Sequence, residues 1–175
     1  AREEVEQLDP YSAPLEGRRN SLRLDFNENT LGPSPNVIKA LENIPKSQIS
    51  IYPEYAGLRE AVAKNLYGTN TQISLKTSEI GIFNGVDAAI HAIFHAFGDK
   101  EQTLLTTSPT FGYYKPCAQM QGMKIKTFEY EGKKYEFPLT KIRNYLKNEK
   151  PKLLFICNPN NPTGTRLSPN EIVEL

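Results

Sequence analysis

Short apolar segments alternate with helical patterns from residue 80 to the end of this 175-residue chain. Four of the segments are predicted strands, at residues 80–83, 103–107, 125–130 and 153–157. Between them, apolar residues recur at helical spacing, as they do after Gly85. This alternation predicts an α/β fold of three layers, in which helices cover both faces of a mainly parallel sheet.

The residues before this region divide into two parts. Residues 1–33 are interrupted by prolines and glycines, so we expect an extended arm with at most a short helix. Residues 34–79 contain two helical patterns. The first begins at the cap Ser34, and the second runs from about residue 57 to residue 66, with Gly68 as its terminator. The sequence therefore predicts an arm, a helical segment and an α/β region over residues 80–175.

The charge balance excludes several classes of partner. Lys and Arg total 21 against 20 Asp and Glu, without a basic block, so we expect no nucleic-acid partner. No apolar run approaches the ~20 residues that cross a bilayer, and the charged start is unlike a secretory signal. Cys117 and Cys157 lie far apart in apolar segments, which is typical of free thiols. We expect a cytoplasmic protein with a small-molecule partner.

Both ends of the sequence indicate a chain cut from a longer one. The first residue is Ala1, and the capping box that begins at Ser168 opens a helical pattern with only a few residues behind it. We therefore expect a longer protein around these residues.

The segment after the first predicted strand contains a potential anion site. In open parallel sheets, ligands bind beyond the carboxyl ends of the strands. Gly85 lets the backbone approach a ligand closely, and the helix that follows offers free N–H groups, so we predict phosphate contacts through the backbone of Val86 and Asp87. The alternative is an ordinary turn in which Asp87 interacts with the helix dipole.

Two further segments after strands carry groups that suit a flat cofactor. Phe111 places an aromatic ring after the second strand, where it either stacks on a heteroaromatic ring or packs in the core. Residues 158–164, Asn-Pro-Asn-Asn-Pro-Thr-Gly, present several amides on a rigid loop. Carboxamides of this kind hold a phenolic oxygen by hydrogen bonding without adding charge.

A pair of histidines has the spacing of metal ligands. His91 and His95 are four residues apart in a predicted helix, but no Glu follows the first of them as in a zinc hydrolase motif. Two ligands also leave a tetrahedral site incomplete. We therefore expect packed or surface histidines and no metal.

The loop 158–164 is identical to the signature loop of fold-type I aminotransferases. With four other stretches in the same order, the chain resembles the histidinol-phosphate aminotransferase branch of that family over nearly its whole length. Those stretches are residues 24–35, 52–53, 84–87 and 109–114.

This resemblance implies a pyridoxal 5′-phosphate cofactor and a set of contacts to it. Asn161 would bind the ring oxygen, Phe111 would stack on the pyridine, and the helix start at Val86 and Asp87 would bind the phosphate. Tyr52 would reach the phosphate of the neighbouring subunit in a homodimer. The family more often has Tyr at the stacking position.

The resemblance also implies substrate contacts and a reaction. Tyr11 and Asn27 would lie near the substrate, and the amino group would pass from histidinol phosphate, or a related amino acid, to the keto acid 2-oxoglutarate. The family more often has an acidic residue where Ala88 stands. Residues 34–79 would belong to the small domain or interface, and 80–175 would be an incomplete cofactor-binding large domain.

The family's Schiff-base lysine has no counterpart in these residues and would lie beyond Leu175. Ser74-Leu75-Lys76 is no substitute, because it precedes the first predicted strand and lacks the motif's neighbours. The chain by itself would then be inactive. Alternatives are an aromatic or other amino-acid aminotransferase, a pyridoxal-phosphate-dependent decarboxylase, and, from another class, a non-catalytic phosphate-binding module.

Overall fold

The computed structural model describes residues 1–8, 16–66 and 75–175. The chain divides into two compact units: an α/β unit of Ala1–Pro10 and Phe83–Leu175, and a helical unit of Tyr11–Ile82. Within the described ranges, no helix is both long and apolar enough to span a membrane.

The helices are α1 (Glu3–Glu6), α2 (Pro35–Glu42), α3 (Lys46–Ile49), α4 (Ala56–Leu66), α5 (Val86–Phe97), α6 (Tyr114–Met120), α7 (Leu139–Glu149) and α8 (Pro169–Val173). Short 3-10 turns lie at Arg18–Asn20 and Thr77–Glu79. The strands are β1 (Thr103–Ser108), β2 (Lys124–Glu129) and β3 (Leu153–Leu154).

Capping residues start the helices where the sequence predicts them. The Ser34 hydroxyl accepts a hydrogen bond from the backbone N–H of Asn36 (3.3 Å) at the start of α2. At α8, the Ser168 hydroxyl accepts from the N–H of Glu171 (3.3 Å), whose carboxylate accepts from the N–H of Ser168 (2.8 Å). Each bond satisfies a backbone donor that the helix itself leaves free. The predicted terminator Gly68 lies outside the described residues.

The three strands form one parallel sheet in the order β2-β1-β3. Strand β1 is central, and its residues 104–107 are buried. Leu104 is paired with Ile125 of β2 and with Leu153 of β3. The predicted parallel α/β sheet is confirmed.

Helices cover both faces of this sheet. On one face, Ile90 and Phe94 of α5 pack with Cys117 and Ala118 of α6 and with Leu104. On the other face, Phe128 of β2 meets Tyr145 of α7 edge to face, with ring centroids 5.7 Å apart. The α/β unit is therefore a three-layer arrangement built around β1, as predicted.

Two strand predictions need correction. Residues 80–83 form no strand, because this segment has no hydrogen-bonded neighbour in the described part of the chain. The predicted strand 153–157 is shortened to Leu153–Leu154, the two residues that pair with Leu104 and Leu105 of β1. The contact continues one residue further: the Phe155 N–H donates to the Leu105 carbonyl (2.9 Å), and the Thr106 hydroxyl donates to the Phe155 carbonyl (3.0 Å).

Helix predictions differ from the structure in two details. We expect a helix over residues 110–121, but α6 begins only at Tyr114. The preceding residues form a loop instead, in which the Thr110 hydroxyl donates to the side chain of Asn160 (2.8 Å). On α4, Leu58 is predicted to face inward, yet it is 48% exposed.

Candidate functional site

Two loops meet at the carboxyl edge of the sheet. The post-β1 loop comprises residues 109–113, and the asparagine loop comprises residues 158–167. The buried side chain of Asn160 joins them: its amide nitrogen donates to the Pro109 carbonyl (3.0 Å), and its amide oxygen accepts from the Thr110 hydroxyl (2.8 Å). The two predicted ligand-binding loops are thus held side by side.

Asn161, predicted to bind a ring oxygen, has a free side chain. Its backbone N–H donates to the Cys157 sulfur (3.4 Å), which anchors the main chain at this residue. Its carboxamide makes no hydrogen bond within the residues that the structure describes, and the residue is only half-buried. The atoms of this carboxamide are not among the buried unpaired atoms of the described residues, so they are open to solvent or to a ligand.

Asn158 has a different role in the same loop. Its amide nitrogen donates to the Leu167 carbonyl (3.2 Å), and its amide oxygen accepts from the Leu167 N–H (2.9 Å). This pair closes the base of the asparagine loop and does not reach the post-β1 loop.

Phe111 lies at the border of the core. Its half-buried ring meets Tyr114 edge to face at 5.6 Å and packs against the cluster that α5 and α6 form with the sheet. Tyr114 is in turn 5.0 Å from the ring of Phe155. The ring therefore packs against the core on one side, and its exposed part leaves room for stacking on a ligand.

The start of α5 provides backbone donors without a side-chain cap. Gly85 precedes the helix with φ of 85°, a left-handed conformation that favours glycine, and a Cβ at this position would meet no atom within 4 Å. Val86 and Asp87 are exposed. The first N–H groups of the helix are thus accessible to an anion.

Asp87 lies near the post-β1 loop. Burial raises the pKa of the Tyr113 hydroxyl, and the neighbouring Cys117 and the carboxylate of Asp87 add to this shift. Burial likewise raises the pKa of the Cys117 thiol, which keeps both groups protonated at neutral pH. Residues 98–102 connect the end of α5 to the start of β1, so the C-terminal end of α5 lies near the amino edge of the sheet. The N-terminal end of α5 therefore lies toward the carboxyl edge.

The remaining predicted site residues belong to the first 82 residues. Tyr52 is 97% exposed, and Asn27 is exposed with φ of 54°. Tyr11 lies outside the described residues. Beside Asn27, the Arg18 guanidinium bonds both carboxylate oxygens of Asp25 (2.6 and 2.9 Å), which lowers the pKa of that carboxyl.

The two histidines of α5 contact each other. The rings of His91 and His95 lie edge to face with centroids 4.5 Å apart, and His95 is exposed. Among the described residues, no group of three or more His, Cys, Asp or Glu side chains could hold a metal ion.

Sequence reasoning missed Asn160 as the residue that joins the two loops. The dense cluster of asparagines in 158–164 indicates a structured loop, but composition does not distinguish the buried side chain from the free one. The available signal is Thr110 in the other loop, whose hydroxyl is a natural partner for a carboxamide.

Comparison with known proteins relates this architecture to one family. The family model described as aminotransferase class I and II matches residues 19–175. The chain is 29% identical over 175 residues to the histidinol-phosphate aminotransferase of Clostridium novyi, covering 99% of this chain and 47% of that protein. It is also 28% identical to a dihydroxyacetone phosphate transaminase of Campylobacter jejuni, covering 100% of this chain and 48% of that protein.

A solved structure shares this fold. Histidinol-phosphate aminotransferase from Sinorhizobium meliloti, solved in complex with pyridoxal-5′-phosphate, superposes with a TM-score of 0.80 at 21% identity, over 99% of this chain and 46% of that one. The chain spans about half the length of the curated relatives that it matches. Because this family model matches most of its residues, the chain belongs to the class I and II aminotransferases.

Proposed function

We propose that the whole protein is a pyridoxal-phosphate-dependent aminotransferase, in which these residues hold the cofactor. By whole protein we mean a protein of the relatives' full length that includes this chain, which by itself covers about half of that length. The observation that carries the proposal is the pair of hydrogen-bonded loops at the carboxyl edge of the sheet, of which one carries Phe111 and the other carries Asn161.

The groups at this edge fit the cofactor's chemistry. The uncapped N–H groups of Val86 and Asp87 suit a phosphate, and the partly open ring of Phe111 suits a flat heteroaromatic. The free Asn161 carboxamide donates to a ring oxygen without adding charge. Pyridoxal phosphate, when bound, supplies an electron sink for amino transfer. The chain's own residues bind it, orient its ring and fix its phosphate.

The substrate and the assembly belong to the same proposal. The donor is histidinol phosphate, which the relatives' names support, and the acceptor is 2-oxoglutarate, as the resemblance to the family implies. Asn27 and Tyr11 contact the substrate, and Tyr52 reaches the phosphate of the partner subunit in a homodimer. Residues 34–79 serve the small domain or interface, and residues 80–175 begin the large domain.

A second substrate class, in which a phosphorylated ketone accepts the amino group, is supported by one observation. The Campylobacter jejuni relative is named for dihydroxyacetone phosphate and is nearly as similar to this chain as the histidinol-phosphate aminotransferases are. Both names include a phosphate ester. An aromatic aminotransferase or a decarboxylase has less support, because the names of these relatives mention neither.

Changing Val86 to proline in the whole protein is expected to weaken pyridoxal phosphate binding about tenfold or more. Val86 is the first residue of α5, where proline fits the helix but removes one N–H donor. A hydrogen bond to a charged group contributes about 1.5–3 kcal/mol, which is roughly tenfold or more in affinity. The dissociation constant is measured by titrating the cofactor into the apoprotein.

Val86→Ala is the matched control, because it shortens the same side chain and keeps the N–H. We expect cofactor affinity close to wild type for the alanine variant and similar melting temperatures for both apoproteins. Equal dissociation constants for the proline and alanine variants would remove the start of α5 from the phosphate site.

A further inference from the structure

Asn160 is the one asparagine among the fully buried polar side chains of the described residues, with 3% of its surface exposed. The amide nitrogen donates twice, to the Pro109 carbonyl (3.0 Å) and to the Thr163 hydroxyl (2.8 Å). The amide oxygen accepts from the Thr110 hydroxyl (2.8 Å). Both amide protons and one acceptor position of the oxygen are therefore used inside the protein, and burial keeps the side chain from contact with a ligand.

The backbone of Asn160 is fixed as firmly as its side chain. Its N–H donates to the Thr165 carbonyl (2.7 Å), and its carbonyl accepts from the Gly164 N–H (2.7 Å). These two bonds close a tight turn within the asparagine loop. The Asn160 carbonyl and the Asn161 N–H belong to the same peptide group, so this group is held both by the turn and by the Cys157 sulfur.

The partners of the Asn160 side chain lie in two loops that are about 50 residues apart in sequence. Pro109 and Thr110 directly precede Phe111, and Asn160 directly precedes Asn161. The hydrogen bonds therefore link the neighbours of the two residues that we propose to contact the cofactor ring. A shift of either loop would change the spacing between the ring of Phe111 and the carboxamide of Asn161.

We propose that Asn160 is a positioning residue of the cofactor site. Its buried carboxamide clamps the post-β1 loop to the asparagine loop, and so sets the spacing between the stacking ring of Phe111 and the hydrogen-bonding amide of Asn161. The inference rests on the proposed function, since it needs a cofactor between those two groups. Asn160 acts only through these neighbours and does not touch the cofactor.

The test compares cofactor binding in the whole protein for wild type, Asn160→Ala, Thr110→Val and Thr110→Ser. Thr110→Val keeps the shape of the side chain but removes the hydroxyl that donates to Asn160, whereas Thr110→Ser keeps that hydroxyl. Three quantities are measured: the dissociation constant of pyridoxal phosphate, the visible circular dichroism of the bound cofactor, and the melting temperature of the apoprotein.

We expect Asn160→Ala to weaken cofactor binding about tenfold or more, because it breaks three hydrogen bonds, two of which join the post-β1 loop to the asparagine loop. Thr110→Val should weaken binding about two- to tenfold, in line with the loss of one hydrogen bond, and Thr110→Ser should bind as wild type does. The double variant Asn160→Ala/Thr110→Val should bind no more weakly than Asn160→Ala, since both changes break the same link. The circular dichroism of the bound cofactor should change in every variant that lacks the link.

A purely structural role for Asn160 predicts a different pattern, in which melting temperatures fall while the affinity and circular dichroism of the cofactor stay at wild-type values. That pattern would overturn the positioning role and leave the proposed function intact. Failure of the wild-type protein to bind pyridoxal phosphate would overturn both. If Asn160→Ala does not fold, the Thr110 pair decides the question by itself: equal cofactor binding by the Val and Ser variants would overturn the proposal.

Discussion

Replacing Asn161 with alanine in the whole protein is expected to lower turnover by on the order of 10- to 100-fold and to shift the visible absorbance of the bound cofactor. The melting temperature of the apoprotein should change little. The side chain makes no hydrogen bond within the described part of the chain, so truncating it breaks no internal contact there. A hydrogen bond to a ring oxygen contributes about 1–3 kcal/mol and also influences the electronics of the ring.

Asn158→Ala is the matched control in the same loop. Asn158 forms two hydrogen bonds with the backbone of Leu167, so its loss should reduce stability by about 1–2 kcal/mol and leave the cofactor spectrum unchanged. Melting temperature, absorbance and turnover are measured on both variants. Normal turnover with an unchanged spectrum in Asn161→Ala would exclude Asn161 from the active site.

The 175-residue chain alone is expected to show no amino transfer above the rate of free pyridoxal phosphate. This result follows from the expectation that the family's Schiff-base lysine lies beyond Leu175, since Ser74-Leu75-Lys76 lacks the neighbours of that motif. Without a covalent anchor, the residues described above would hold the cofactor through hydrogen bonds and stacking alone. Formation of glutamate from 2-oxoglutarate is measured with histidinol phosphate and with several amino acids as donors.

The whole protein, assayed at the same concentration, is the control for this experiment. It should form glutamate under conditions in which the 175-residue chain forms none. Turnover by the isolated chain above the cofactor-only rate, with any donor, would show that a functional anchor is present within these residues.

The sequence predicted the helices best where capping and periodicity agree. Ser34 and Ser168 mark the starts of α2 and α8 because a hydroxyl cap and a following proline act locally, within one turn. Strand predictions depend on a neighbour, which a local pattern does not contain. Residues 103–107 lie between two strands and pair as expected, whereas residues 80–83 have the same apolar character and no partner in the described part of the chain.

The sequence predicted the two loops at the carboxyl edge of the sheet but only part of their detail. Loops after parallel strands are where ligands bind, and this rule identified the segments that contain Phe111 and Asn161. It did not distinguish Asn160 from Asn161. Which of two adjacent asparagines turns inward depends on the path of the loop and on the position of Thr110, some 50 residues earlier. The roles of Tyr11, Asn27 and Tyr52 remain predictions.

Amino transfer by the whole protein from histidinol phosphate to 2-oxoglutarate is the most direct test of the proposed function. The purified protein is supplied with pyridoxal phosphate, and kcat/KM is compared among histidinol phosphate, phenylalanine and other amino donors. We predict formation of glutamate that requires the cofactor, with the highest kcat/KM for histidinol phosphate. A higher value for another donor would contradict the assigned substrate, and the absence of transfer from every donor would contradict the aminotransferase function itself.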